Sequence, residues 1–288
     1  GQDEVTPSIP AALGLTYSGK DLSQIAPLPQ KEELVANDFL LYFVNCASAA
    51  ASSLDGFGLF QSVADQPFGT DKGSGRDWGY LSAEYMQAQG DVESADRKAA
   101  KWGIAEDAVY GEDTGYRYYF ELPAGNYEVT CGFYDPFSPR NIDISAEGKE
   151  VISGQKILKF KETEFSFETE VTDGELDLFV YNAKRGQDAM QNPELSYIIV
   201  RAVPEYDGEM LAMMLEASGV SEEELKEYRT VTVAEYKESV AAAKKVADSD
   251  SASEGEIREA YENLKKAFEG LEKKMVYNAF TPGKTWQD

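Results

Sequence analysis

Histidine is absent from the 288 residues of this chain. That one absence removes a Ser-His-Asp triad, a Cys-His pair, a histidine zinc site and a histidine general base together. Cysteine is almost absent as well: Cys46 and Cys131 stand alone, too few for a zinc cage without other soft ligands. Each falls inside a predicted strand, where it reads either as half of a disulfide or as a small apolar core residue. Long apolar runs are missing too. The longest, Phe39 to Val44, is far short of the roughly 20 residues a membrane-spanning helix needs. No N-terminal run has the charged, apolar and small-residue order of a secretion signal, so an exported protein would carry its signal already removed. Positive charge is scarce, with 27 basic against 52 acidic residues and a net charge of -25. Such a chain repels phosphate backbones and anionic headgroups, so the expectation is no nucleic-acid partner and no membrane insertion.

What is present is a change of hydrophobic period at Val203-Pro204-Glu205. Before it apolar residues alternate as in strands; after it they recur three and four residues apart as in helices. Residues 1–36 carry Pro7, Pro10, Pro27 and Pro29 without periodicity and read as a lead segment with little regular structure. Phe39 to Val44 suits a strand buried on both faces. Asn45 to Gly115 is a long irregular stretch with a short helix predicted near Ser82 to Gln89, and loops of that length in a compact domain usually carry function. Alternation then dominates: Tyr116, Tyr118, Phe120 and Leu122 share one face, followed by turn chemistry at Pro123-Ala124-Gly125-Asn126 and a second series at Tyr127, Val129, Cys131 and Phe133. Glu147-Gly148 and Thr172-Asp173-Gly174 read as hairpin turns, and Leu195 to Val203 as the last strand. The predicted fold class is multidomain and mainly β: an antiparallel β-sandwich of the jelly-roll kind over 37–204, then a three-helix bundle over 205–276 and a tail over 277–288.

In the helical part Met210, Met214 and Ala217 mark one stripe. Capping boxes are predicted at Ser221 to Glu224, Thr232 to Glu235 and Ser253 to Glu256. Tyr236, Val240, Ala243 and Ala247 share a face of one helix, and Ile257, Ala260, Tyr261, Leu264, Ala267, Phe268 and Leu271 a face of the next. Stripes of this spacing are core, so no ligand role falls on Tyr261, Phe268 or the methionines.

The β part resembles the malectin-like, carbohydrate-binding branch of the galactose-binding-like sandwiches. The resemblance is carried by Tyr42-Phe43-Val44-Asn45-Cys46, Asp65-Gln66-Pro67-Phe68-Gly69, Trp78-Gly79-Tyr80, Gly125-Asn126-Tyr127-Glu128-Val129 and Leu195-Ser196-Tyr197-Ile198-Ile199-Val200. It implies a site of loop aromatics with an aspartate at one end of the sandwich, a set this chain does not reproduce position by position. The helical part resembles the "found in various architectures" three-helix module, through Thr232-Val233-Ala234-Glu235-Tyr236, Val246-Ala247-Asp248 and Glu256-Ile257-Arg258-Glu259-Ala260-Tyr261-Glu262-Asn263-Leu264; that resemblance implies a spacer or interaction element. Tyr277 to Asp288 resembles the start of a family 43 glycoside hydrolase propeller and stops before any catalytic carboxylate, which implies a catalytic glycoside hydrolase domain further along the same parent chain.

A sugar ring has an apolar C–H face and a hydroxyl rim, so a binder needs an aromatic platform beside planar polar groups. The stacking candidates are Trp78, Tyr80, Trp102, Tyr134 and Phe137, each on a predicted loop or just past a strand end. The polar candidates are Asp135, Arg140, Gln191 and Asn192, held on turns by neighbouring prolines. Burial competes for the two tryptophans and ion pairing for Arg140. The expected function is non-catalytic binding of a polysaccharide or oligosaccharide by the accessory region of a bacterial glycoside hydrolase, secreted or at the cell surface. The alternatives are a surface adhesin or protein-interaction spacer, and a carboxylate-dependent glycosidase or lyase using a pair such as Asp135 with Asp188. No cofactor is expected beyond structural calcium held by oxygen ligands.

Overall fold

The computed structural model describes residues 22–46, 63–64, 66, 68–71, 74–80, 87–92, 100–104, 115–135, 138–182 and 193–275. They form two compact units. One holds the described residues through Gln30 together with Asn37–Pro204; the other holds Lys31–Ala36 and the described residues from Glu205 onward.

The first unit is a mainly β structure of antiparallel sheets. Its strands are β1 (Leu40–Asn45), β2 (Val63–Ala64), β3 (Gly69–Thr70), β4 (Asp77–Tyr80), β5 (Gln87–Val92), β6 (Ala100–Ile104), β7 (Gly115–Glu121), β8 (Gly125–Phe133), β9 (Arg140–Ala146), β10 (Lys149–Ile157), β11 (Thr163–Val171), β12 (Glu175–Tyr181), β13 (Glu194–Leu195) and β14 (Tyr197–Ala202). Five of them make one sheet in the order β11-β8-β14-β1-β2, six a second in the order β10-β9-β12-β7-β4-β3, and β13-β6-β5 a third. The short β1–β2 pairing is parallel. The alternation read from the sequence places Tyr116, Tyr118, Phe120 and Leu122, then Tyr127, Val129, Cys131 and Phe133, then Leu176, Leu178 and Val180 inside. The two large sheets meet through aromatic rings: Tyr42 of β1 lies 4.9 Å from Phe120 of β7 and 6.1 Å from Trp78 of β4, centroid to centroid. This packing of two inner faces is that of a β-sandwich.

One glycine is required by a close approach. Tyr197 lays its ring across Gly132, where an added Cβ would stand 1.9 Å from the ring, and its hydroxyl hydrogen-bonds the Glu164 carboxylate on the next strand. Three expectations are corrected. Lys31–Ala36 forms helix α1 and belongs with the helical unit, not with an unstructured lead. Gln87 to Gln89 lie in strand β5, not in a helix. The stretch from Asn45 to Gly115 contributes strands β2 to β6; their hydrophobic pattern is weak because the segments are short and glycine-rich. Cys46 and Cys131 are buried and not joined in a disulfide, and burial pushes the Cys131 thiol well above its usual range.

In the second unit α1 is followed by α2 (Gly208–Ala217), α3 (Glu222–Leu225), α4 (Thr230–Ala247) and α5 (Glu254–Glu269). Asp207 caps α2 by accepting the Met210 amide at 2.9 Å, and Lys31 bridges Asp207 and Glu209 at 2.6 and 2.9 Å. Ser221 with Glu224, and Ser253 with Glu256, form capping boxes as the spacing predicts. The third box is not formed. The helix opens earlier, at Thr230, and Thr232 instead donates to the Arg229 carbonyl at 3.0 Å. Leu34, Met210, Leu211, Met214, Leu225, Tyr236, Ala243, Ala260, Tyr261 and Leu264 are the buried apolar side chains; Ala217 and Ala247, expected on buried stripes, are exposed. Among the described residues no helix is long and apolar enough to cross a membrane.

Candidate functional site

Four strand ends converge at one end of the sandwich. Phe133, the last residue of β8, pairs with Thr163, the first of β11, while Arg140 at the start of β9 pairs with Ile157 at the end of β10. The β8–β9 and β10–β11 connections therefore lie side by side, tied to each other by the Asp135 main chain.

Asp135 anchors the first connection. Its carboxylate is fully buried and accepts the Ser138 amide at 3.0 Å through Oδ1 and the Arg140 Nε–H at 2.6 Å through Oδ2, with the Arg140 side chain 14% exposed. A buried charge is tolerated only with such satisfaction, because desolvating a lone carboxylate is costly. The Asp135 carbonyl reaches the second connection and accepts the Phe160 amide at 2.8 Å. That connection runs from Leu158 to Glu162 and contains a four-residue turn, Leu158 to Lys161, closed by the Lys161 amide on the Leu158 carbonyl at 3.2 Å. Phe160 stands third in it with φ 62°, the left-handed conformation that such turns normally fill with glycine or asparagine. Its ring is 64% exposed, and the Lys159 ammonium sits 4.6 Å from the ring centroid. Leu158 beside it is exposed as well.

A strained, exposed aromatic pinned by a buried ion pair is a local arrangement that the fold alone does not need. Chemically it offers a flat apolar surface, two flanking ammonium groups and a fixed backbone. Those are the parts of a stacking platform for a ring with one apolar face.

The residues singled out from the sequence fall as follows. Tyr134, Asp135 and Arg140 come together here, but Tyr134 is only 7% exposed, so its ring supports the site and is not the platform expected of it. Asp135 and Arg140 satisfy each other, and the carboxylate expected to serve as one of a catalytic pair is instead held by Ser138 and Arg140. Trp78 is not on a loop. It sits in β4, 2% exposed, stacked at 6.2 Å and 4° on Phe120; because β4 extends the six-stranded sheet, the indole faces the sandwich core and cannot meet a sugar. Tyr80 is half-buried in the same strand, edge-on to Tyr118 at 6.3 Å. The backbone of Trp102 lies in β6, paired with Gly90 and Glu194; its side chain lies outside the described residues, as do Phe137, Asp188, Gln191 and Asn192 entirely. Phe160 was missed because β10 carries little alternation and its closing turn has no glycine, asparagine or proline to announce it. The one available signal was Leu158-Lys159-Phe160-Lys161 itself, an apolar and basic cluster between hairpin strands.

Two other clusters stand in the same unit. Phe179 and Tyr181 stack at 4.7 Å, but the Arg117 guanidinium covers Phe179 at 3.7 Å and Phe179 is buried. At the β9–β10 turn Glu147, with φ 51°, accepts the Asp177 amide at 2.7 Å and donates its own amide to the Asp177 carbonyl at 3.1 Å. Burial pushes Glu147 up to about 8, with Asp177 and Asp173 adding to it against Lys149. Asp177 is pushed up to about 7 by burial and by Asp173, against the Arg117 charge. Among the described residues no group of three or more cysteine or acidic side chains is placed to hold a metal ion.

No protein-family model matches the chain, and no curated protein matches it. Solved structures that match part of the chain include a β-glucuronidase of Bacteroides uniformis, 19% identical over 57% of this chain and 18% of that one, with a TM-score of 0.40. They also include the ANX2 ectodomain of Arabidopsis thaliana, 13% identical over 57% of this chain and 50% of that one, with a TM-score of 0.43. A third is a family 35 carbohydrate-binding module of Clostridium thermocellum, 12% identical over 44% of this chain and 88% of that one, with a TM-score of 0.25. The chain thus spans half or less of the first two proteins.

Proposed function

We propose that this protein binds a polysaccharide or oligosaccharide without acting on it, and that the Phe160 turn is the contact surface. The single observation that carries the reading is a phenyl ring held two-thirds exposed in a left-handed backbone by a buried Asp135–Arg140 pair. A pyranose laid on that ring would cover its apolar face while its hydroxyl rim meets the neighbouring lysines and turn backbone.

In the fuller form of this reading the sandwich is the malectin-like targeting part of a secreted or surface-attached bacterial glycoside hydrolase. The helical unit is a three-helix spacer, and the catalytic domain follows in the same parent chain, as the resemblance of Tyr277 to Asp288 implies. Tethering would then raise the local concentration of substrate at the catalyst. Structural calcium has no support from the described residues and is not part of the reading.

Isothermal titration of the whole chain against a panel of oligosaccharides tests it. Heat with at least one glycan, lost in Phe160→Ala while the melting temperature holds within a few degrees, is the expected result. Binding that survives Phe160→Ala moves the site elsewhere, and reducing-sugar release by this chain alone would replace a binder with an enzyme.

A further inference from the structure

We propose that the saccharide held at the Phe160 turn is anionic, bearing carboxylate or sulfate groups, and that Lys159 and Lys161 recognise its charge; this rests on the carbohydrate-binding reading above.

Charge is unevenly balanced along this chain. Acidic residues outnumber basic ones 52 to 27, and several exposed cations are paired with carboxylates: Lys31 with Asp207 and Glu209, Lys226 with Glu223, Lys237 with Glu222 and Arg229 with Glu272. The run Lys156-Ile157-Leu158-Lys159-Phe160-Lys161 gathers three lysines into six residues ahead of Glu162. All three are exposed, and among the described residues none of them forms an ion pair, as is also true of Lys244, Lys245 and Lys266. Lys159 and Lys161 flank the one large aromatic ring of the turn in sequence, and the Lys159 ammonium already lies over that ring.

Unpaired cations on a protein of this net charge are poor at attracting the molecule as a whole to an anionic surface, because the long-range field opposes approach. They act at short range, within a Debye length, on an anion brought in by the ring. A neutral pyranose would use the ring and leave the ammonium groups in water. A sugar carrying a carboxylate or sulfate would use both, with the anion meeting flexible ammonium arms that can fold toward it without moving the turn. Each exposed ammonium–anion contact is worth a factor of about two to five in affinity. Removing both should therefore cost about five- to twenty-fold, all of it sensitive to salt.

The test uses the whole chain and the variant Lys159→Gln/Lys161→Gln, with Phe160→Ala beside it. The probes are polygalacturonate, dextran sulfate, unsubstituted dextran and phosphatidylserine-containing vesicles, each at low and high salt. The inference expects binding to polygalacturonate or dextran sulfate, weakened by salt. It expects a loss of about five- to twenty-fold in the double lysine variant and a larger loss in Phe160→Ala. The two acidic polymers separate carboxylate from sulfate recognition. Dextran bound as tightly as the acidic polymers, or a double lysine variant that binds them as the parent does, overturns the charge assignment and leaves carbohydrate binding standing. No binding to either acidic polymer overturns the charge assignment, and no heat with any member of the oligosaccharide panel as well overturns both readings. Vesicle capture that depends on Phe160, without glycan binding, overturns both in favour of a lipid surface.

Discussion

Replacing Phe160 separates the structural account of the turn from the functional one, because glycine and alanine should act there in an unusual order. The native ring is 64% exposed, so about a third of the roughly 200 Å² of a phenylalanine side chain is buried. At about 25 cal/mol per Å² its removal costs about 1.5 kcal/mol. Alanine loses that burial and keeps the left-handed backbone of φ 62°, which costs an L-residue roughly 1–2 kcal/mol. Glycine loses the same burial but adopts this conformation without the steric cost, offset by about 0.5–1 kcal/mol of extra chain entropy in the unfolded state. Phe160→Gly should therefore match the parent to within about 1 kcal/mol. It should exceed Phe160→Ala by about 0.5–1 kcal/mol, or about 1–4 °C in melting temperature for a unit of this size. At an ordinary extended or helical position the order is the reverse, with glycine the less stable. The assay is thermal unfolding followed in the near-ultraviolet, where the sandwich aromatics report, alongside glycan titration of both variants. Glycine less stable than alanine would refute the strained turn, and glycan affinity unchanged in both variants would refute the platform.

Asp135→Ala leaves the mostly buried Arg140 guanidinium without its partner and should destabilise the sandwich by about 3–5 kcal/mol; a double-mutant cycle with Arg140→Met checks it, since removing both charges should cost less than removing Asp135 alone. Trp78→Ala should lower stability by about 3–5 kcal/mol, and a glycan affinity lowered with the melting temperature unchanged would return the indole to the ligand site. The Glu147 and Asp177 carboxyls are raised to about 8 and about 7 from ordinary values of 4.5 and 3.8, so the folded state holds more protons than the unfolded one between those limits. Stability should fall as pH rises from about 4 to about 8, by on the order of 1–2 kcal/mol once screening is allowed for, with Asp173, Lys149 and Arg117 facing the pair; Glu147→Gln should flatten that slope in melting curves, and an unchanged slope would sink the assignment.

Much of the sandwich was legible because its longest strands follow the pleat: in β7, β8 and β12 the alternating apolar residues are buried, although Tyr119, Thr130 and Phe179 on the opposite faces are buried as well. The capping boxes at Ser221 and Ser253 were legible for a similar reason, since Ser-x-x-Glu fixes its own hydrogen bonds within four residues. Trp78 was misplaced because burial is a property of the sheet it joins. Nothing in Asp77-Trp78-Gly79-Tyr80 shows that Phe120 lies opposite. Helix α1 escaped notice because six residues carry too little periodicity, and its packing partner α2 lies far along the chain. The candidate site was half legible: Asp135 and Arg140 could be chosen as a polar pair on a proline-bounded turn. Their role as the mount for Phe160 depends on a main-chain bond across 25 positions, which no local pattern encodes.

That mount also departs from the cheapest way to build its own fold. A glycine at 160 would close the β10–β11 turn without strain, and an apolar pair at 135 and 140 would fill the same space without burying charge, often at no loss of stability. Both departures occur within hydrogen-bonding reach of each other, joined by the Phe160 amide on the Asp135 carbonyl. Two independent accidents would not be expected to share one bond. Conflict of this kind is tolerated where something other than folding sets the residue. What both exceptions hold in place is the same exposed ring, so the stability given up at this end of the sandwich is best explained by what that ring contacts.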